Sequence, residues 1–381
     1  MEIKLKNTPE QVELIRAMGS KNPTVAREAT EAVAAFLGPV IHEVLMTAGT
    51  VSKIYRDISY DEDSDPSIPL DLFYNEGAGY ITIWAQNMAG GMPTSQVEGV
   101  KELKFGSYRL DTAVSFNKKY ARKSRLDVIS KAIERMVNEV LIKQERNGWA
   151  VVLKALAEGA TPNIAANTLG HVLNTTISGS STGTLLLKDL NKLMTRIKRI
   201  NESYSGNTPV QPYSNGITDL YISPEIKEAV RAFAYNPVQT TAGAASGVQQ
   251  VRDQYLSERM RDEIYANGGM QSIYGINLIE LIEFGLNQKY NVLFNQFAST
   301  LQSEATWTSA AVNQIMVGID NTRGVFLRPV ARQAESGGVF SVMPDGQFDM
   351  YGSRVEKVGF YGFLEESRIC LDARAVVGLI A

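Results

Sequence analysis

Residues 124–158 read SRLDVISKAIERMVNEVLIKQERNGWAVVLKALAE, and the spacing of their apolar side chains decides the fold. Leu126, Ile129, Ile133, Met136, Val137, Val140, Leu141, Trp149, Val152, Leu153 and Leu156 return every three or four positions, with Lys131, Arg135, Glu139 and Lys143 on the other side. This pattern predicts a helix over 125–158, about 50 Å long at a rise near 1.5 Å per residue. Ser124, with Asp127 three residues on, makes a capping-box-like start. Gly148 costs about 1 kcal/mol relative to Ala inside a helix, so it marks a bend or a close packing contact. A helix of this length exceeds what a small domain needs and reads as a spine from which other elements hang.

On the N-terminal side, Thr8-Pro9-Glu10 supplies a cap and a Pro at the first helical position, and Val12, Leu14, Ile15 and Met18 continue to the breaker Gly19. Asn22-Pro23 restarts the pattern through Val25, Ala29, Val33, Phe36 and Leu37 to a predicted stop at Gly38-Pro39. From about residue 54 the character changes to strands and turns. Tyr80-Ile81-Thr82-Ile83-Trp84 is rich in strand formers, Gly90-Gly91-Met92-Pro93 is a turn, and Leu110, Thr112, Val114 and Phe116 alternate with Asp111, Ala113 and Ser115. The stretch predicts a long two-stranded excursion.

On the C-terminal side, residues 159–187 contain no Asp, Glu, Lys or Arg and read as an uncharged, turn-rich segment. A helix follows over 188–203, then a strand over 217–222 and a helix opened by Ser223-Pro224-Glu225 and closed near Asn236-Pro237. Residues 238–250 read as a surface loop, 251–265 as a helix, 276–281 as a strand and 285–310 as an irregular polar stretch. Strands near 312–319 and 325–330 lead to a β-rich end. That end carries Val358, Phe360, Phe363 and Leu364, a charged turn at Glu365-Glu366, and a last strand through Ile380. The fold class is α+β.

Composition bounds the function. The 381 residues include two His and one Cys, so a Cys/His metal centre within one chain and an intrachain disulfide are both excluded. The net charge of -3 lacks the broad basic character of a dedicated nucleic-acid binder. The N-terminal residues alternate charged and apolar types, unlike a signal peptide, and no charge-free apolar run approaches a membrane span, which gives the expectation of a soluble intracellular protein. Tests for chemistry return bland readings. The string Gly179-Ser180-Ser181-Thr182-Gly183-Thr184 lacks the Lys-Ser/Thr pair of a phosphate loop. His42 and His171 read as structural, Cys370 as a buried small hydrophobe, and the acidic run 61–65 as a solvated turn that lacks the Gly and terminal Glu of a calcium loop. The basic run Lys118-Lys119-Tyr120-Ala121-Arg122-Lys123-Ser124-Arg125 precedes a helix start, where cations are disfavoured, so acidic residues of a neighbouring subunit and DNA phosphate are candidate partners, a solvated or subunit-facing patch being preferred over DNA. No catalytic residue, cofactor or metal ligand is assigned.

The order of these elements resembles the major capsid proteins of tailed double-stranded DNA bacteriophages, the Hong Kong-type capsid fold. The resemblance rests on the arm, the excursion, the spine helix, the mixed middle and the closing run Asp372-Ala373-Arg374-Ala375-Val376-Val377-Gly378-Leu379. It implies an N-terminal arm over 1–50, an extended β-hairpin E-loop over 51–118, a P-domain over 119–215 holding spine helix 124–158, an axial A-domain over 216–345, and a C-terminal β return to the P-domain over 346–381. It also implies self-assembly into pentamers and hexamers of an icosahedral shell, in the virion after assembly in host cytoplasm. Packaged double-stranded DNA would be enclosed without sequence-specific binding. The partners would be a separate scaffolding protein, a portal and a decoration protein, with no membrane. Two strands alone are marginal in water, so Ile81, Ile83, Trp84, Met88 and Met92 would pack on adjacent subunits, joined by Lys118, Lys119, Arg122 and Lys123. Two alternatives stand beside this reading: an encapsulin-like compartment shell, and a soluble α+β enzyme using carboxylates such as Glu280 and Glu283.

Overall fold

The computed structural model describes residues 8–61, 64, 67–69, 102–162, 168–175, 185, 187–204, 216–235, 262, 264–266, 272–302, 305–332, 340–345 and 356–381. The chain divides into two compact units, Met1–Gly148 with Phe326–Ile369, and Trp149–Val325 with Cys370–Ala381.

The first unit opens with helix Pro9–Met18, capped by Thr8 and ended at Gly19. Helix Pro23–Thr47 follows, its N-cap Asn22 accepting from the Thr24 amide at 3.2 Å. The predicted stop at Gly38-Pro39 is corrected: the helix passes through Pro39. An interior Pro costs about 3 kcal/mol. The apolar stripe nevertheless continues from Val33 and Leu37 to Ile41, Val44 and Leu45, all buried, and this burial outweighs the lost hydrogen bond. By length and composition the helix could cross a bilayer, yet that stripe lies in the unit's core beside Ile129, Ile133, Met136 and Val140 of the spine helix. Strand Lys357–Glu366 organises the sheet. It pairs antiparallel with Tyr108–Asn117 over its whole length, from Lys357↔Asn117 to Glu366↔Tyr108, and with Phe340–Asp345. Strand Arg56–Asp61 runs parallel to Phe326–Arg332. The alternation expected over 110–116 holds, with Leu110, Thr112, Val114 and Phe116 turned inward.

The spine helix runs Leu126–Glu158. Ser124 is not its cap: its backbone is left-handed at φ 49°, and its buried Oγ has no hydrogen-bond partner. The preceding basic residues form their own short helix, Lys118–Arg122, which tightens into a turn that Ser124 closes. Gly148 is a close contact. A Cβ there would lie 2.5 Å from Val51 Cγ1, and the Gly148 carbonyl accepts from the Tyr55 hydroxyl at 2.9 Å.

The second unit is built on a six-stranded sheet in the order Val172–Asn174, Val376–Ile380, Ile315–Ile319, Asp219–Ile222, Ile276–Glu280, Ser272–Ile273. Helices Leu187–Tyr204 and Pro224–Tyr235 bury Leu190, Leu193, Ile197, Ile226 and Val230 in a cluster with Leu220, Met316 and Leu379. Ser223 caps the second of these, accepting from the Ile226 amide at 3.2 Å. The stretch expected to be irregular over 285–310 contains helix Lys289–Asn295. Its buried pair Tyr290 and Phe294, four residues apart, supplies the helical face that polar neighbours hide in the sequence. The uncharged segment contributes short strands Ala160–Pro162, Thr168–Gly170 and Val172–Asn174; the Gly-Ser-Thr string at 179–184 and the loop at 238–250 lie outside the described residues.

Candidate functional site

The base of the excursion is the most structured candidate for a functional surface. Strands Ser67–Pro69 and Glu102–Lys104 pair antiparallel, Ser67↔Lys104 to Pro69↔Glu102, between the sheet strands that end at Asp61 and begin at Tyr108. The chain thus leaves the sheet and returns as two paired strands. Ile81, Ile83, Trp84, Met88 and Met92 lie outside the described residues. Glu365 gathers the base: it accepts from the Tyr60 hydroxyl at 3.3 Å and from the Ser107 hydroxyl. The Tyr60 and Phe105 rings meet edge to face at 6.2 Å.

Beneath this base lies a buried charge cluster that sequence reading assigned to a turn. Glu366 is 0% exposed and ends the central strand. It accepts from Tyr108 Oη at 3.0 Å, Gln144 Nε2 at 3.1 Å and Arg328 Nε at 3.1 Å, and it pairs with Arg368 Nη2 at 3.3 Å. Arg368 also lies over the Tyr55 ring, 4.9 Å from its centroid. Burial, with the Glu366 charge added, pushes the Tyr108 hydroxyl up to about 12. Burial holds the Arg328 guanidinium below its ordinary value, partly offset by Glu366. Asp57, 3.7 Å from Arg328, is held above the usual carboxylate range by burial, against the pull of Arg328. A doublet of Glu in a strand with one apolar face was the available signal: the alternation of Phe360, Gly362 and Leu364 places Glu366 inward.

The basic run 118–125 is dispersed. Arg122 Nε donates to the Gly19 carbonyl at 2.7 Å and its Nη1 lies 3.7 Å from Glu356, so this guanidinium ties the helix to its own chain. Lys119 and Lys123 are exposed, and Lys118 is half-buried. Elsewhere, Asp372 Oδ1 accepts from the Arg374 amide and Nε, both at 2.9 Å, and opens the turn Ala373–Ala375 that starts strand Val376–Ile380. His171 is buried, and burial lowers its pKa to about 4 despite a backbone bond at Ala373. Burial pushes the Cys370 thiol up to about 12, away from nucleophilic chemistry. The carboxylates considered for catalysis are paired: Glu280 with Lys227 at 2.6 Å, Glu283 with Lys289 at 3.4 Å. Among the described residues no group of His, Cys, Asp and Glu could hold a metal ion.

No protein-family model and no curated protein matches the chain by sequence. Its structure nevertheless belongs to one class, the α+β Hong Kong-type phage capsid fold. The bacteriophage PhiM1 mature capsid matches with a TM-score of 0.51 and 10% identity, over 88% of this chain and 87% of that one. The capsid of cyanophage P-SCSP1u follows at 0.48 and 12% identity, over 87% and 88% of the two chains. The SrpI encapsulin of Synechococcus elongatus PCC 7942 matches at 0.38 and 13% identity, over 73% and 75%. At 10% identity the PhiM1 likeness establishes the fold alone.

Proposed function

We propose that the chain is a major capsid protein, a structural and non-enzymatic subunit that assembles into pentamers and hexamers of an icosahedral shell around packaged double-stranded DNA. One observation carries this reading: the fold of the PhiM1 mature capsid extends over 88% of the chain. The paired strands at the base of the excursion support an E-loop over 51–118, and the helix Leu126–Glu158 supports a P-domain spine within 119–215. An arm over 1–50, an A-domain over 216–345 and a return over 346–381 complete the assignment. In the assembled shell, Ile81, Ile83, Trp84, Met88 and Met92 cover apolar surface of a neighbour, and Lys118, Lys119 and Lys123 meet its acidic groups beside Arg122, which is held by Gly19 and Glu356 of its own chain. A scaffolding protein, a portal and a decoration protein are the further partners, and the virion is the location.

Electron microscopy of the purified chain, expressed alone and with the candidate scaffolding protein from its genomic neighbourhood, tests the reading. Closed shells of uniform size are the expected result. A monodisperse small species under both conditions would overturn it, and shells that hold one defined protein in place of nucleic acid would replace it with a compartment. Deleting residues 75–98 should leave a folded subunit by circular dichroism and abolish shells. Unfolding of that variant would place the segment in the core instead.

A further inference from the structure

Helix Pro23–Thr47 is apolar on two faces. One is buried in the core of the first unit through Val33, Leu37, Ile41 and Val44. The other is exposed: Val25, Glu28, Ala32, Phe36, Val40 and Glu43 follow one another at steps of three and four and form one row, with Phe36 55% and Val40 40% exposed. Its charged members, Glu28 and Glu43, are both acids and stand fifteen positions apart, about 22 Å at the helical rise. In the same unit the spine helix exposes a row of the opposite sign. Lys131, Arg135, Glu139, Ile142 and Arg146 again recur at steps of three and four, with Lys143 adjoining; all are exposed, Ile142 by 40%. Glu139 is the one acid of that row, flanked at four positions by Arg135 and Lys143. The end cations Lys131 and Arg146 are also fifteen positions apart. Among the described residues, none of the charged groups in either row is ion-paired within the chain.

We infer that these two rows are the halves of one contact between copies of the chain, the outer row of helix Pro23–Thr47 in one subunit lying on the spine-helix row of the next. The inference rests on the shell reading and names two surfaces that a subunit shares with its neighbours. Charge decides the pairing. The first row against itself would oppose acids to acids, and the second against itself would oppose cations to cations, so neither is self-complementary and each fits the other. The matched spacing lets both end acids meet end cations, and Ile142 then falls within the apolar stretch between them whichever way the helices run. Residues 80–92 of the excursion are apolar enough to cover Phe36 and Val40, but they carry no charge and offer no cation to Glu28 and Glu43, which favours the spine helix as the occupant. A contact between two different faces is heterologous, and repeated around an axis it closes a ring, as pentamers and hexamers require.

The test counts closed shells of the full chain by electron microscopy. Glu28→Lys/Glu43→Lys and Lys131→Glu/Arg146→Glu should each lower the shell yield about tenfold or more, since each sets like charges against one another. Combining the four reversals restores complementarity and should return the yield to near that of the wild type. Full yield from either double reversal would overturn the proposal, as would a quadruple variant with the wild-type circular dichroism and no recovery. A second measurement does not depend on how the reversals fold. Phe36→Cys, labelled with a photoactivatable maleimide, is assembled from mixed isotope-labelled and unlabelled subunits, and mass spectrometry maps the crosslinks that join different copies. Links to residues 131–146 of the other copy are expected. Links to 75–98 would overturn the proposal and give the row to the excursion, and links to helix Pro23–Thr47 would overturn it in favour of a self-contact. Shells absent from the wild type would sink the shell reading and this contact with it, whereas wild-type shells with crosslinks elsewhere would sink the contact alone.

Discussion

The two units hold their centres in opposite ways. In the first, a carboxylate buried among two guanidiniums, a phenol and a primary amide occupies the place where sheet, spine helix and excursion base meet. In the second, Trp149 sits within 5.0 Å of Tyr221, 5.1 Å of Phe284 and 5.5 Å of Tyr290, and rings do the filling. Aromatic packing of this kind stabilises through large apolar area and edge-to-face contact. A buried ionic cluster adds little net stability over apolar residues of the same shape, because desolvation offsets the attraction. It does penalise every arrangement in which one partner is misplaced. Such a penalty fixes register: strand Tyr108–Asn117 can pair with Lys357–Glu366 in only one register if Tyr108 is to reach Glu366.

The strongest way to break this contrast is to remove the shared carboxylate. Glu366→Ala should destabilise the unassembled subunit by about 3 to 5 kcal/mol in urea denaturation, since the buried Arg368 and Arg328 lose their shared anion and Arg328 keeps only Asp57, at 3.7 Å. The combined change Arg328→Met/Glu366→Leu/Arg368→Met should recover most of that stability. A loss below about 1 kcal/mol for Glu366→Ala would show that the cluster specifies nothing.

Acid provides the next contrast. His171, in the second unit, has a folded pKa near 4 because of burial, against an unfolded value of 6.5. Above pH 6.5 both states are neutral and the group contributes nothing to pH dependence. Below it the unfolded chain takes up the proton first, so stability falls as pH drops from 6.5 to 4, by about 3 kcal/mol in all. Asp57, in the first unit, works the other way: its raised pKa means that the folded state holds the proton more tightly, which favours folding as pH falls. His171→Gln should therefore flatten the loss of stability between pH 7 and pH 4.5. An unchanged profile would mean that His171 is protonated in place.

Much of this was legible in the sequence where local rules and tertiary packing agree. The spine helix, the Thr8 and Ser223 caps and the inward alternation of 110–116 follow from spacing and residue type alone, which also narrow Gly148 to a bend or a close contact. Local rules failed where packing overrode them. Pro39 does not stop its helix because the apolar stripe on both sides is buried. Ser124 does not cap because Lys118–Arg122 forms a separate helix first and leaves it in the turn. Glu365 and Glu366 looked like a charged turn because, Arg368 apart, their partners, Tyr60, Ser107, Tyr108, Gln144 and Arg328, lie 38 or more positions away. No window along the chain contains that cluster. In the basic run 118–125, too, a partner lies far off in sequence: Arg122 finds Gly19 more than a hundred positions upstream.

The smallest effect tests how far packing precision reaches in the charge-specified unit. Gly148→Ala should gain about 1 kcal/mol from helix propensity. Its Cβ would, however, stand 2.5 Å from Cγ1 and 2.9 Å from Cγ2 of Val51, which is 2% exposed and cannot swing away. Overpacking of this kind costs about 1 to 3 kcal/mol, so the net expectation is a destabilisation of about 1 kcal/mol. Truncating the obstacle should reverse the sign. In a Val51→Ala background the methyl of Gly148→Ala fills part of the space left by the valine, and the propensity gain is then unopposed. A double-mutant cycle in urea should give a favourable coupling of at least 1 kcal/mol between the two sites. Simple additivity would mean that the spine helix shifts to admit the methyl. In that case the backbone at Val51, just ahead of strand Arg56–Asp61, is held by the Tyr55–Gly148 hydrogen bond and the charges around Glu366, with little contribution from side-chain fit.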